Sequence, residues 1–292
     1  MIDFLYFYSE HMSFFLFCFI IISLFIGSFL NVVIYRLPLM LQRRWEEDCR
    51  SYLGQPPLLK TPSFNLCFPA SHCPQCQKPI RPWHNIPLLS FILLKGKCSN
   101  CKNNISLRYP MVELLTCVLS VYVAWQFHSI VYFPQLFATL IFTWIGICLI
   151  FIDIDHHLLP DQLTLLLLWL GMIFTLFGIF VPSESAIIGA VTGYLFFAIT
   201  QAIFGFFTGK IGLGQGDYKL LAALGALLGY FLLPFIVILA SVLGLIGALL
   251  QMIRKRSFKS VPFAFGPYLL IAGWIALFWG RPATEYWIRS CC

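Results

Sequence analysis

Apolar runs as long as a bilayer is thick recur along this chain from residue 13 almost to its C-terminus. A spanning helix needs about 20 consecutive apolar residues, and a soluble core has no room for so many. Of the 292 residues, 60% are hydrophobic and 11% charged, against about 45–50% and about 25% in soluble domains. The lipid bilayer is therefore the expected solvent for most of this protein, and the fold class it predicts is an all-α polytopic membrane protein.

The first apolar run, Ser13 to Tyr35, is not read as a cleaved signal. Asp3 and Glu10 precede it where basic residues belong, and no small-residue cleavage site follows before Asn31 and Arg36. Apolar length and Gly, Pro or charged punctuation predict about eight transmembrane helices, near 13–35, 110–127, 131–152, 162–181, 186–207, 218–230, 232–253 and 264–280. The unbroken stretch Leu220 to Leu250 is split because it is longer than one span needs, and Gly229 with Pro234 offers a turn.

The formal charge of +7 is not laid out as a nucleic-acid-binding stripe, so no nucleic-acid partner is expected. Eleven of the nineteen Lys and Arg fall between Arg36 and Arg108, and a basic excess in one loop marks the cytoplasmic side. Alternation then puts 153–161, 208–217 and the tract Arg254 to Lys259 in the cytoplasm too. Three regions follow: a first transmembrane helix (1–36), a Pro-punctuated cytoplasmic loop (37–109) and a membrane domain with about seven helices (110–292).

That loop is too small for a large hydrophobic core. Cys73-Pro74-Gln75-Cys76 and Cys98-Ser99-Asn100-Cys101 form two C-x-x-C pairs at a spacing used by structural zinc sites. Four thiolates close a tetrahedral site and leave no position for a catalytic water. The zinc is expected to be structural, with Lys78, Lys95, Lys97 and Lys102 offsetting its charge. Cys18, Cys117 and Cys148 read as small buried residues, and Cys291-Cys292 have no assigned role.

Carboxylates at a membrane edge are costly and mark function. Phe151-Ile152-Asp153-Ile154-Asp155-His156-His157-Leu158-Leu159-Pro160-Asp161 ends one apolar helix and begins another; Asp155 is expected to reach water and Asp161 to cap the following helix. Gly212-Leu213-Gly214-Gln215-Gly216-Asp217 precedes a further helix, lacks the Gly-Lys-Ser/Thr ending of a P-loop, and lets a substrate chain come close to Asp217. Asp153 and Asp217 are thus expected on one membrane face at matching depth. Two such carboxyls share one proton, so that one can deprotonate water while the other polarises a carbonyl. On spacing alone, proteolysis stands beside a carboxylate-coupled ion or proton transporter, although no internal repeat of the transporter kind is present.

These residues resemble the type IV prepilin leader peptidases, bifunctional GxGD-type membrane aspartyl proteases that also N-methylate their product. The likeness covers nearly the whole chain. It rests on Gly27-Ser28-Phe29-Leu30-Asn31-Val32-Val33-Ile34-Tyr35-Arg36-Leu37-Pro38, on the four-cysteine loop, on Asp153 before Leu-Leu-Pro-Asp, on Gly214-Gln215-Gly216-Asp217, and on Pro262-Phe263-Ala264-Phe265-Gly266-Pro267. One small departure is Leu213, where the family often has Met. The resemblance makes Asp153 and Asp217 the catalytic pair, Asp153 being preferred to Asp155 by its distance from the Leu-Pro-Asp ending. It implies prepilin and pseudopilin substrates of type IV pili or type II secretion, a cut after Gly at the cytoplasmic face of the bacterial inner membrane, and S-adenosylmethionine as methyl donor. Asn31 and Glu113 are secondary candidates for lining the methyl-donor or substrate groove, or else helix-packing polar residues satisfied by a neighbour.

Overall fold

The computed structural model describes residues 12–56, 64–127, 132–210, 212–255, 263–280 and 282–284. Asp3, Glu10, Arg256 to Lys259, Pro262 and Cys291-Cys292, all used in the sequence reading, lie outside them. Among the described residues, eight helices of ten residues or more carry the fold: α1 Met12–Tyr52, α2 Arg108–Gln126, α3 Phe133–His156, α4 Asp161–Leu176, α5 Ser183–Thr208, α6 Gln215–Leu228, α7 Leu233–Lys255 and α8 Gly266–Ile275. Among the described residues, four segments are long and apolar enough to cross a membrane: Phe14–Tyr52, Phe133–His156, Ser183–Thr208 and Tyr230–Ile253. α4 and α8 are shorter apolar helices.

Each helix lies where apolar length placed one, and the expected turn falls at Gly229, whose φ is +83°. The first helix is the main correction. It does not stop at Tyr35 but runs through Pro38 to Tyr52, so the start of the basic loop is helical. Arg36 ends the first apolar run and Arg43, Arg44, Glu46 and Glu47 follow it, yet Leu, Met, Gln, Arg and Glu are all strong helix formers. Charge terminates a span without terminating a helix.

The chain divides into two compact units, Met1–Cys148 and Leu149–Cys292. In the first, α1 packs on α2 so closely that a Cβ added at Gly27 would lie 2.8 Å from the Glu113 Cα. Arg36 turns toward the loop, donating from Nη1 to the Asn65 carbonyl (2.9 Å) and from Nη2 to that of Pro69 (2.6 Å). In the second unit α6 is the centre, with every residue from Asp217 to Leu228 buried except Lys219. It packs against α4, α5 and α8. Gly189 of α5 and Gly225 of α6 meet backbone to backbone, and a side chain at either would strike the other's carbonyl. Small residues allow such approach where hydrophobic burial gives no drive between lipid-bathed helices.

Candidate active site and metal centre

Asp153 sits in the last turn of α3, within the second unit, and is 5% exposed. Its carboxylate accepts the Gly266 backbone N–H at the start of α8. A Cβ at Gly266 would fall 2.7 Å from Asp153 Oδ2, so that glycine is what lets α8 begin against the carboxyl.

Asp217 is the third residue of α6 and is 8% exposed. Gly214 caps that helix, and its N–H donates to Asp217 Oδ2 at 3.3 Å. This is half of a capping box, which ties the acid's orientation to the turn before it. The other oxygen, Oδ1, is buried with no hydrogen-bond partner among the described residues. Gly216 has a separate reason to be glycine, because a Cβ there would meet the Leu159 Cβ at 2.7 Å.

Asp153 and Asp217 line one cavity of about 210 Å³ with His157, Leu159, Gly214, Gly216 and the segment Phe263 to Phe265. Two buried carboxyls facing one small cavity are costly to ionise together. The cavity's aromatic wall was in the sequence as part of a quoted signature, but its place beside the acids was not. Gln201 of α5 was missed entirely. Its Oε1 accepts the N–H groups of Gly212 (2.9 Å) and Leu213 (2.8 Å), and its Nε2 donates to the Lys210 carbonyl, so one side chain braces the glycine-rich turn. A lone Gln in an apolar helix was the available signal.

The neighbouring acids are arranged differently. Asp155 is exposed. Asp161 is the first residue of α4 and not its N-cap, a position held by Pro160; its carboxylate instead receives Lys219 Nζ at 2.7 Å. An acid in a first turn still favours the helix dipole.

The four cysteines converge in the first unit. The Sγ atoms of Cys73, Cys76, Cys98 and Cys101 all lie within 4.8 Å of one another, and those of Cys73 and Cys101 are 3.8 Å apart. Tetrahedral zinc with Zn–S bonds of ~2.3 Å sets its sulfurs ~3.8 Å apart, so the donor set fits that ion. The two pairs are built alike. Cys73 N–H bonds the Lys78 carbonyl and Cys98 N–H the Asn103 carbonyl, while Gln77 and Lys102, each four residues past the first cysteine, take positive φ. A side-chain hydrogen bond from Asn100, helped by a backbone bond from Lys78, holds the Cys76 thiol down at about 6, and backbone bonds from Cys101 and Asn100 lower Cys98. Thiolate is the form that binds metal.

Asn31 and Glu113, also in the first unit, both have internal partners. Asn31 Nδ2 donates to the Tyr109 carbonyl at 3.1 Å. Glu113 Oε2 accepts the Leu88 N–H at 2.9 Å and its carboxylate also bonds Ser28.

Two family models match this chain: the bacterial Peptidase A24 N-terminal domain over residues 20–127 and the type IV leader peptidase family over residues 140–249. Proteins named prepilin leader peptidase/N-methyltransferase are similar along almost their whole length. The one from Pseudomonas aeruginosa is 46% identical over 281 residues, 96% of each chain, and the one from Aeromonas salmonicida is 48% identical over 270 residues, 92% of each. That of Neisseria gonorrhoeae is 46% identical over 256 residues, 87% of each. No solved structure matches the chain. Two family models across both halves and near-full-length relatives leave one conclusion: the chain belongs to the type IV leader peptidase family.

Proposed function

We propose that this chain is a membrane aspartyl endopeptidase that removes the basic leader of type IV prepilins and pseudopilins after Gly, at the cytoplasmic face of the bacterial inner membrane, and methylates the new N-terminal residue. The names of the near-full-length relatives support both activities. The observation that carries the peptidase is the buried pair Asp153 and Asp217 on one small cavity. In this reading the ionised carboxyl takes a proton from water as the resulting hydroxide attacks the scissile carbonyl, and the protonated one donates to the carbonyl oxygen. Collapse of the tetrahedral species breaks the C–N bond and returns the proton to the leaving amine.

The eight helices act as spans, with the two acids near the cytoplasmic side. The four cysteines hold a structural zinc, which supplies cross-linking of the loop and no chemistry. S-adenosylmethionine follows from the methyltransferase names and the family resemblance; Asn31 and Glu113 stand as groove-lining candidates whose visible bonds are internal. Purified protein in detergent, given a synthetic precursor with a Gly-Phe junction and S-adenosylmethionine, should yield a leader ending in Gly and a mature fragment bearing one methyl, both read by mass spectrometry. Intact precursor after incubation with folded protein would overturn the peptidase reading.

A further inference from the structure

Glu113 is an acid near the start of an apolar helix, and the bond it makes is unusual: its carboxylate caps the backbone N–H of Leu88, 25 residues upstream in the polar loop. Its height can be read from α1. Glu113 lies against Gly27 and bonds Ser28, inside the apolar run that ends at Arg36. Eight residues of helix separate Ser28 from Arg36 and five separate Arg108 from Glu113, so at 1.5 Å per residue the Glu113 backbone lies roughly 8–12 Å below the level of those arginines, and Leu88 N lies within reach of its side chain.

With α1 and α2 as spans, a loop at that depth meets hydrocarbon, and most of its exposed residues suit it. Leu93 is 78% exposed, Ile92 69%, Trp83 59% and Leu89 58%, four large apolar side chains exposed within eleven residues of sequence, a denser set than the scattered single ones of an ordinary protein face. Exposed Arg81, Lys95 and Lys97 flank it on both sides in sequence, and Arg81 lies over the Trp83 ring at 5.8 Å. Cations at the rim with tryptophan beside them match the headgroup layer. Irregular backbone at membrane depth must have its polar groups met by protein. Here Pro87 is buried and has no N–H, and Leu88, at φ +56°, starts the short helix Leu89–Leu93 with no side-chain cap of its own. The Glu113 carboxylate meets that N–H.

We propose that residues 80–94 form a re-entrant element that dips from the cysteine loop into the cytoplasmic leaflet, its apolar face in the acyl chains, its cations on anionic headgroups and its turn tethered by Glu113. The loop is then a membrane-inserted structure with a metal-bound rim. The inference rests on α1 and α2 being spans, and the test separates the two. A benzoylphenylalanine photo-crosslinker is placed at Leu93, at Asn103 in the second cysteine knuckle, or at Phe17 of α1, in full-length metal-loaded protein in nanodiscs of bacterial lipid. Mass spectrometry should find lipid adducts at Leu93 and Phe17 and none at Asn103. Glu113→Gln, which keeps an acceptor, should retain the Leu93 adduct. Glu113→Val should lose most of it while the Phe17 adduct persists. Lipid at Phe17 with none at Leu93, or a protein adduct at Leu93, overturns the re-entrant element and leaves the spans standing; lipid at neither overturns both.

Discussion

The cysteine cluster and the aspartate pair are both convergences of four or fewer reactive side chains, yet they are assembled by opposite means. The cluster is made of two short, nearly identical turns, each closed by its own backbone hydrogen bonds, in a segment with little apolar packing. The aspartates sit 64 positions apart at the end of one apolar helix and the start of another, and α6 is buried along its length. On the proposed reading the first depends on a bound ion, because metal binding would supply the folding energy of such a small element. The second depends on packing, and a metal chelator should leave it standing.

Ways to break that contrast can be ranked by size. The largest effect is expected from Asp153→Asn or Asp217→Asn, each lowering kcat/KM for precursor cleavage by about 10³-fold or more with thermal unfolding unchanged, as for groups that act as a unit. Next is Cys73→Ser with Cys76→Ser. Elemental analysis should fall from one zinc per chain to none, and limited proteolysis should cut the loop, while cleavage of a short soluble precursor drops by less than about tenfold, as a structural role for the proposed metal requires. Loss of cleavage as complete as in the aspartate variants would dissolve the distinction. Gly225→Ala should cost about 1–3 kcal/mol by forcing α5 and α6 apart, the usual range for overpacking, and is read from unfolding in detergent. Asp161→Asn breaks a half-exposed pair with Lys219, worth at most about 1 kcal/mol, and should retain substantial activity.

How far the sequence carries follows the same division. Apolar runs with glycine or proline punctuation place all eight helices, although only four of the described segments are long and apolar enough to cross a membrane. They miss the extension of α1 past Arg36, where helix propensity outlasts hydrophobicity. Cys73, Cys76, Cys98 and Cys101 are legible from spacing alone, since the turns that join them are local. Asp153 and Asp217 are each conspicuous as acids among apolar residues, but their shared cavity with Phe265 and the bracing of the turn by Gln201 come from helix packing that no local pattern encodes. Glu113 is the clearest case. Besides Ser28 it bonds the backbone N–H of Leu88, a partner that leaves no mark on the sequence.

The central claim, that Asp153 and Asp217 act as one unit, is tested most directly by measuring kcat/KM for leader cleavage in both single Asn variants and in the double variant, in the same detergent and with zinc content checked. The account predicts that the double variant is scarcely slower than either single one, because removing either carboxyl already removes the unit. A double variant slowed by the product of the two single effects, or single variants that still cut at near the parent rate, would contradict it.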